Sequence, residues 1–524
     1  MKKLIALVLC LCCMLMNLSA LAEVSYPIEN GPTLTVWIAM DAGNSQAYTN
    51  YADSPVWQKF MEVTGVKLEF MHPTYGAAGE GFSTMIANVD DWPDLIIDFD
   101  AYYNGGANAA YEDDVIYDLT PYLEEYAPDY YALINRDEKT RIQFYNENDQ
   151  CLAFYNFAYE DDPQAYCLVV RPDWCEEWGI DVASMTTYDA IEEYFAKVLA
   201  EKPGVIPFQP DLANKKSLLP IMLWGYDLLP GFMAVDGEIK YYANQENYKA
   251  WLERMHSWYK KGYIGQDYAS LKNATIRKMY AAGEVACLIV GIGNAYSDSQ
   301  ASGIPIDKTP FLRETEDTII HVYSYGVNTN IGIASVVTKH CDESLLPVVC
   351  QFMNYCYSEE GLVFSNWGPE GMTWEYNSEG KRQHTDWVLN NPTHPTSIMH
   401  NVCRLHYWPH AQLSDLTCSA NIIKDPVITE MRGRYAQAEY FQTDYYIPSA
   451  VTLTAEEAEE RDSILVDIEA YVSEMMYKFI QGDADIEAEW ENYCKTLEHY
   501  RLNDAIQLEQ DAYDRYVARL ANVN

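Results

Sequence analysis

Three loop segments near the N-terminus concentrate side chains that can donate or accept hydrogen bonds. They span residues 39–53, 71–80 and 98–106. Each follows a short apolar run typical of a strand, and in parallel sheets ligands bind in the loops beyond the carboxyl ends of the strands. The polar and aromatic side chains of these loops are Asp41, Asn44, His72, Tyr75, Asp98, Asp100, Tyr102 and Tyr103. We predict ligand contacts among them, with the three aspartates singled out from 78 acidic residues only because of this position.

A fourth candidate segment, residues 365–380, reads SNWGPEGMTWEYNSEG. It is too broken for a helix and too rich in glycine for a regular strand, yet it contains Trp367 and Trp374, with Glu370 between them. Glycines at 368 and 371 allow a tight backbone path. Two interpretations remain open: the rings seal a core beneath an irregular loop, or they offer flat faces to a ligand.

Four more aromatic residues are candidates for ligand contact: Trp224, Tyr226, Tyr407 and Trp408. Because aromatic residues make up 14% of the chain, many of them are expected to be structural. Trp37 lies inside a predicted strand, which favours a place in the core.

The elements that position the first three loops alternate between strand and helix. TLTVWI, VKLEF and DLIIDF are predicted strands. Between the first two, Ser54 and Pro55 start a helix whose apolar face ends at Gly65, and FSTMIANV predicts a second helix. The β-α-β-α-β order predicts a parallel sheet with helices on its faces.

A second α/β region is predicted from about residue 151 onward. TTYDAIEEYFAKVLAEKPG has the pattern of a capped helix, DGEIKYY that of part of a hairpin, and EVACLIVGIG that of a strand ending in glycines. NYKAWLERMHSWYKKGYI predicts an amphipathic helix with Trp251, Met255 and Trp258 on its core face. With 524 residues, the chain exceeds what one hydrophobic core usually serves.

Composition excludes several classes of function. The net charge of -43 repels phosphate backbones and anionic lipid, so we expect neither nucleic-acid nor electrostatic membrane binding. The first 22 residues have two lysines, an apolar run and Ala20-Leu21-Ala22, which predicts a cleaved signal peptide and an exported protein. Ten of the 13 cysteines remain after cleavage, without CxxC pairs, and are expected to be buried free thiols.

No catalytic or metal-binding motif emerges from the sequence. It contains no G-x-S-x-G or H-E-x-x-H. His400, His406 and His410 lie close together, but Pro409 interrupts any helix that would align them. DADIE at residues 483–487 lacks the glycine of a calcium loop and favours a solvated helix start.

Segments spread over nearly the whole chain carry a family resemblance. They read PVWQKFMEVTGVKLEF, DDVIYDLTPYLEEYAPDYY, RPDWCEEWGI, WLERMHSWYKKGYIGQDY, GEVACLIVGIG, NWGPEGMTWEY and KFIQGDADIEAEWENYCKTLEHYRLNDAIQLEQDAYDRY. In order and spacing they resemble the extracellular solute-binding proteins of bacterial ABC importers, in the carbohydrate group that contains maltose-binding protein and LipO-like lipoproteins.

The resemblance implies an α/β periplasmic-binding-protein-like fold. Each of two lobes would be a mostly parallel sheet flanked by helices, with a ligand cleft at a hinge that the chain crosses more than once. Lobe 1 would take residues 23–150 and 294–337, and lobe 2 residues 151–293 and 338–524. The loop with Trp367 and Trp374 would then approach the ligand, where a tryptophan face suits a sugar ring.

The implied function is the substrate-binding component of an ABC transporter, which captures an oligosaccharide or other sugar outside the cell and delivers it to the permease. The resemblance implies no catalysis and no cofactor or metal, and we expect a monomer. Leu9, Leu11 and Cys12 precede the three leader cysteines, where lipid-modified relatives have a small residue, so a freely secreted form that reaches the cell surface through the permease is favoured. The alternatives are a receptor for a peptide or other small organic solute, a metal-uptake component, and a secreted carbohydrate-active enzyme.

Overall fold

The computed structural model describes residues 24–41, 43–99, 102–158, 166–213, 218–321, 334–405, 412–414, 441–442, 444–448 and 450–522. The predicted signal peptide lies outside these residues, as do three candidate contacts: Asp100, Tyr407 and Trp408.

The strands and helices of the described residues are numbered separately in chain order. The strands are β1 (Thr33–Trp37), β2 (Lys67–Met71), β3 (Leu95–Ile97), β4 (Phe154–Tyr155), β5 (Phe157–Ala158), β6 (Tyr166–Val170), β7 (Phe232–Val235), β8 (Glu238–Tyr241), β9 (Leu288–Gly291), β10 (Asp307–Lys308), β11 (Ile320–His321), β12 (Ala334–Val337), β13 (Trp374–Tyr376), β14 (Arg382–His384), β15 (Leu413–Ser414) and β16 (Phe441–Gln442). The helices are α1 (Asn44–Ala47), α2 (Pro55–Thr64), α3 (Ala78–Ile86), α4 (Gly106–Glu112), α5 (Thr120–Tyr126), α6 (Pro128–Ile134), α7 (Glu138–Phe144), α8 (Pro172–Trp178), α9 (Tyr188–Glu201), α10 (Leu219–Leu223), α11 (Glu246–Lys260), α12 (Asn273–Ala281), α13 (Ile292–Ser302), α14 (Leu346–Asn354), α15 (Glu359–Trp367), α16 (Asp386–Leu389), α17 (Thr396–Val402), α18 (Ala455–Gln481), α19 (Ile486–His499) and α20 (Leu502–Ala521).

The chain divides into two compact units. Unit 1 comprises Met1–Phe157 and Gly332–Asp415, and unit 2 comprises Ala158–Ile331 and Leu416–Asn524. The chain therefore passes from one unit to the other three times, after residues 157, 331 and 415.

These boundaries differ from those predicted after residues 150, 293 and 337. Residues 294–331 belong to unit 2, because α13 follows directly from β9 and continues that unit's fold. Residues 338–415 belong to unit 1, because α14 buries Leu346, Val349 and Phe352 in the core of that unit. Local patterns mark where elements begin, but the core that an apolar helix face joins is decided by tertiary packing.

The main sheet of unit 1 has the strand order β2-β1-β3-β12-β4. β1 pairs in parallel with β2, with Thr33 opposite Lys67, and with β3, with Val36 opposite Leu95. This confirms the parallel sheet predicted from the β-α-β-α-β order. β12 arrives from the distant part of the chain and pairs antiparallel with β3 and β4.

Helix α2 follows its sequence signals closely. Pro55 stands at its first turn, and Gly65 adopts the left-handed conformation, with φ 79°, directly after its last residue. Val56, Trp57 and Phe60 are buried, so the apolar stripe faces the unit 1 core as predicted. The Ser54 side chain makes no capping bond to the backbone of this helix.

The three-stranded sheet of unit 2 corrects one expectation. Its order is β10-β6-β9, and β6 pairs antiparallel with both neighbours. A mostly parallel sheet was predicted for each lobe, but strand direction depends on how the intervening helices return the chain, which a short apolar run does not encode.

The local predictions in unit 2 are confirmed. Helix α9 starts directly after Thr187, whose side chain caps it by accepting from the backbone N–H of Ala190, and β7 and β8 form a hairpin. Helix α11 buries Trp251, Met255 and Trp258, the residues predicted for its core face. Asp485 accepts a hydrogen bond from the backbone N–H of Ala488 and caps α19, so DADIE is a helix start.

The described cysteines are all free, as predicted. Eight are buried and Cys494 is half-buried; the buried ones are Cys151, Cys167, Cys175, Cys287, Cys341, Cys350, Cys356 and Cys403. Among the helices of the described residues, none combines the length and the apolar character needed to cross a membrane.

Candidate ligand-binding site

The site predicted at the strand ends of unit 1 is built around Asp41. Its Oδ1 accepts hydrogen bonds from the backbone N–H groups of Gly43 and Asn44, both at 2.9 Å, and its Oδ2 accepts from the Asn44 side chain at 2.7 Å. The Asn44 side chain is almost fully buried. Asp41 therefore fixes the start of α1 and orients Asn44.

Asn401 on α17 joins this group from 360 residues further along the chain. Its Nδ2 donates to Asp41 Oδ1 at 3.0 Å, and its backbone carbonyl accepts from Asn44 Nδ2 at 3.4 Å. A Cβ atom at Gly43 would lie 2.3 Å from Asn401 Nδ2, so the approach requires glycine. The sequence analysis missed Asn401, because no local pattern links α17 to the end of β1.

Asp98 lies at the same edge of the sheet, directly after β3, and has a left-handed backbone with φ 64°. Its charge and that of Asp41 act on the buried phenol of Tyr51. Burial, followed by the Asp41 and Asp98 charges, raises the pKa of Tyr51 well above its ordinary value. Burial and then Asp98 raise the pKa of Tyr102. Asp41 and Asp98 are thus both close enough to Tyr51 to affect its pKa.

His72 links the ends of β1 and β2. Its Nε2 accepts from the backbone N–H of Tyr51 at 3.1 Å, so its Nδ1 carries the proton and donates to the Ile38 carbonyl at 2.8 Å. Burial lowers the pKa of His72, partly offset by the bond to Ile38. These contacts give His72 a structural role at the site's edge.

The two predicted tyrosines, Tyr102 and Tyr103, differ in the contacts that they make with other residues. Tyr102 is half-buried, with Trp37 at its edge 5.3 Å away and Phe82 stacked at 5.5 Å. Tyr103 stacks on Phe99 at 5.0 Å and donates its hydroxyl to Asp113 at 2.7 Å. Burial, the bond to Asp113 and the Asp113 charge raise the pKa of Tyr103.

The tryptophans of the glycine-rich loop are both only 3% exposed. Trp367 ends α15 and stacks on His384 at 4.9 Å. Trp374 begins β13 and donates its Nε1–H to the Gly368 carbonyl at 2.9 Å. In this structure the rings therefore hold the loop together, and their stacking on a sugar stays a prediction.

Gly368 has a steric reason for being glycine. Its φ is 79°, and a Cβ there would lie 2.0 Å from the carbonyl oxygen of Cys403. The loop is thereby pressed against the segment that follows α17. Glu370, between the two tryptophans, is exposed.

Trp224 and Tyr226 lie in unit 2, whereas the described contacts named so far lie in unit 1. They are 1% and 3% exposed. The Trp224 ring meets Phe311 edge-on at 5.2 Å, and the Tyr226 hydroxyl accepts from Arg254 Nε at 3.2 Å. Their ring contacts are those of core residues, and a role at the ligand stays a prediction.

A second polar cluster in unit 2 centres on His321 and was not found from the sequence. His321 Nδ1 bonds Asp227 Oδ1, and Nε2 lies 3.3 Å from Asp444 Oδ1. The Tyr445 ring stacks on the imidazole at 3.6 Å, with 4° between the planes. Burial and the Asp227 charge raise the pKa of Tyr445 to about 12.

The described residues hold no group of three His, Cys, Asp or Glu side chains suited to a metal ion. His400 instead lies 2.6 Å from Arg404 Nη2, measured from its Nε2. His406 and His410 lie outside the described part of the chain.

Comparison with known proteins identifies the family. The family described as bacterial extracellular solute-binding protein matches residues 42–362, more than half of the chain. The chain belongs to this family. Its members are binding proteins, which agrees with the resemblance drawn from the sequence.

One curated relative is a carbohydrate ABC transporter substrate-binding protein of Streptococcus pneumoniae serotype 4. It is 23% identical over 215 residues, which span 40% of this chain and 40% of the relative. The match therefore covers well under half of that protein's length.

Solved structures show that the fold is that of extracellular solute-binding proteins. Alginate-binding protein AlgQ2, solved without calcium ion, matches with a TM-score of 0.72 and 18% identity over 94% of this chain and 100% of its own. The S. pneumoniae substrate-binding protein FusA, solved with kestose, matches with a TM-score of 0.72 and 16% identity, over 93% and 99%. An extracellular solute-binding protein from Bifidobacterium longum subsp. infantis matches with a TM-score of 0.72 and 15% identity, over 93% of this chain and 98% of its own.

Proposed function

We propose that this protein is the substrate-binding component of an ABC transporter that captures an oligosaccharide outside the cell and delivers it to the membrane permease. The observation that carries the proposal is the family match together with the polar group at the strand ends of unit 1. FusA, of the same fold, was solved with kestose, and the curated relative is a carbohydrate-binding component. We further propose a secreted monomer that acts without catalysis or a cofactor.

The polar group in unit 1 suits sugar hydroxyls. Asn44 and Asn401 are held by Asp41, so their amides are oriented before any ligand arrives. Preorganised donors and acceptors cost less ordering entropy when a ligand binds. The half-buried Tyr102, in the loop that follows β3, offers an aromatic surface of the kind that apolar sugar faces require. Four more aromatic residues stay proposed contacts, which a ligand could touch only at the exposed part of each ring: Trp367, Trp374, Trp224 and Tyr226.

A thermal-shift screen of residues 23–524 tests the class of ligand. The panel holds neutral oligosaccharides, uronates, peptides and divalent metals. A ligand at about 100 times its Kd adds roughly 2.7 kcal/mol to the free energy of unfolding, which raises the melting temperature visibly. We expect a shift with sugars. A shift with peptides or metals and none with sugars would refute the proposed ligand and favour the alternative receptors. Release of reducing ends from a bound sugar would refute the absence of catalysis.

Asn401→Ala tests the site. Losing one oriented amide should weaken sugar binding about tenfold, as measured by titration calorimetry. The matched control is Asn390→Ala in the same unit, where the exposed amide only donates to Asp386 at 2.8 Å. Equal affinities of the two variants would remove Asn401 from the site.

A further inference from the structure

His72 closes the base of the loop at residues 39–50, the loop that holds Asp41. This loop leaves β1 at Ile38 and returns to the sheet at Tyr51. The His72 side chain bonds both ends, the Ile38 carbonyl through Nδ1 at 2.8 Å and the Tyr51 N–H through Nε2 at 3.1 Å. One imidazole ring therefore ties the start of the loop to its end.

The sequence explains why a side chain is needed at this place. β1 and β2 are parallel, and their hydrogen bonds continue to Ile38, whose N–H donates to the Met71 carbonyl at 3.1 Å. In a parallel ladder the next bond would reach the Ile38 carbonyl from the N–H of residue 73. That residue is Pro73, which has no N–H to donate. The His72 imidazole supplies the donor instead.

The two bonds of His72 require a neutral imidazole. A carbonyl oxygen only accepts and a backbone N–H only donates, so Nδ1 carries the proton and Nε2 presents its lone pair. A proton added at Nε2 leaves the bond to Ile38 in place but abolishes the bond to Tyr51, because two N–H groups then face each other. Tyr51 is fully buried, which makes the loss of this bond more costly than at the surface.

The surroundings of the His72 ring oppose its charged form. Phe70 stacks on the imidazole at 5.7 Å, and the Tyr51 ring meets its edge at 5.0 Å. Burial lowers the pKa of His72, and the bond to Ile38 offsets this in part. Besides the phenol of Tyr51, the ionisable groups on the adjoining segments are Asp41, Asp53, Lys67, Glu69 and Glu80. Burial sets the direction, since the pKa is lowered despite the excess of carboxylates among these groups.

The sign of the pH dependence follows from this direction. The pKa of His72 in the folded protein lies below its ordinary value of 6.5, so an unfolded or opened loop binds the proton more readily. The bond to Tyr51 is therefore fully present above 6.5 and is lost as the pH falls through the folded pKa.

We propose that His72 is an acid-sensitive anchor of the ligand loop: protonation at Nε2 releases Tyr51, loosens residues 39–50 and weakens sugar binding. The release of Tyr51 stands on the two hydrogen bonds of the ring, whereas the loss of affinity rests on the proposed function. Asp41 links the two, because it lies in this loop and orients Asn44 through a 2.7 Å bond.

Amide hydrogen exchange of the native protein at pH 7 and pH 5 tests the anchor without any ligand. Mass spectrometry follows the fragment that contains the Tyr51 amide, and each rate is divided by that of an unstructured peptide at the same pH. We expect the protection of this amide to fall about tenfold at pH 5. The amides of α2, which bond to carbonyls within the helix, should keep their protection.

His72→Gln is the informative variant. Glutamine offers an amide oxygen that accepts from the Tyr51 N–H and does not titrate, so protection of the Tyr51 amide should be the same at both pH values. His340→Gln is the matched control, because His340 is exposed and lies in the same unit. It should leave the pH dependence of the native protein unchanged.

Titration calorimetry tests the effect on the ligand, with kestose and the other neutral oligosaccharides of the thermal-shift screen as probes. For each sugar that binds at pH 7, the Kd should rise about tenfold at pH 5 in the native protein and in His340→Gln. The rise should be absent in His72→Gln.

Each outcome decides a separate point. Equal protection of the Tyr51 amide at pH 7 and pH 5 in the native protein would overturn the anchor, whether or not His72→Gln folds. A fall in protection that persists in His72→Gln would overturn the role of His72. Loss of protection with a constant Kd would overturn the effect on the ligand. If no sugar binds at pH 7, the proposed function fails, and the exchange experiment still decides the anchor.

Discussion

Substitutions at Trp374 test whether its side chain stabilises the loop or stacks on a bound sugar. The side chain is 3% exposed, so Trp374→Ala removes a nearly complete burial and should lower the free energy of unfolding by about 3–5 kcal/mol. Trp374→Phe keeps an aromatic ring but loses the 2.9 Å bond to the Gly368 carbonyl. Its cost should be about 1–2 kcal/mol, since a buried carbonyl is left without its donor.

The assay is urea denaturation followed by circular dichroism, with sugar affinity measured in parallel. Tyr376→Ala is the control, because Tyr376 lies two residues away on the same strand and is 55% exposed. It should cost less than about 1 kcal/mol. If Trp374→Ala left stability within 1 kcal/mol of the native value but abolished sugar binding, the structural reasoning would be refuted and the stacking role supported. A large loss of stability with unchanged affinity of the Ala variant, measured where it is still folded, would exclude stacking.

Three further predictions concern groups away from that loop. Burial raises the pKa of the Cys151, Cys167 and Cys175 thiols to about 12. A thiol reagent at pH 8 should therefore modify only the half-buried Cys494 among the described cysteines. Peptide mapping that finds Cys151 modified in the native protein would contradict this prediction. The variant His321→Phe keeps a ring that can stack on Tyr445 but removes the contacts with Asp227 and Asp444. Amide hydrogen exchange of residues 444–446, measured by mass spectrometry, should therefore speed up severalfold. The control variant His340→Phe, at an exposed position, should leave that exchange unchanged. Burial favours a raised pKa for Glu457, but bonds from Arg515 and the Thr454 N–H outweigh it and lower the pKa. The charged carboxylate therefore stabilises the fold above its unfolded pKa, and the stability lost in Glu457→Gln at pH 7 should disappear as the pH falls through the folded pKa; an equal loss at both pH values would disprove this.

Features encoded by local spacing could be predicted from the sequence. The alternation of strands and helices at residues 33–97 requires crossover connections, and these force neighbouring strands to run parallel. The stripe of Trp251, Met255 and Trp258 is set by the helical period, and it faces the core. The strand-end position of Asp41 and Asp98 follows from the same parallel topology. Each of these inferences needs only residues that lie close together in the chain.

Features that depend on distant partners appeared only in the tertiary structure. Asn401 meets Asp41 across 360 residues, and nothing near either residue in the sequence indicates the other. The bond from Trp374 to Gly368 and the stacking of Trp367 on His384 depend on how a glycine-rich loop folds back on itself, which composition does not specify. The antiparallel sheet of unit 2 was likewise decided by chain return. The sequence determined the class of fold and the edge at which to look for a ligand, because both follow from short-range periodicity. The packing of segments that are remote in sequence decided which side chains lie together at that edge and which are buried in the core.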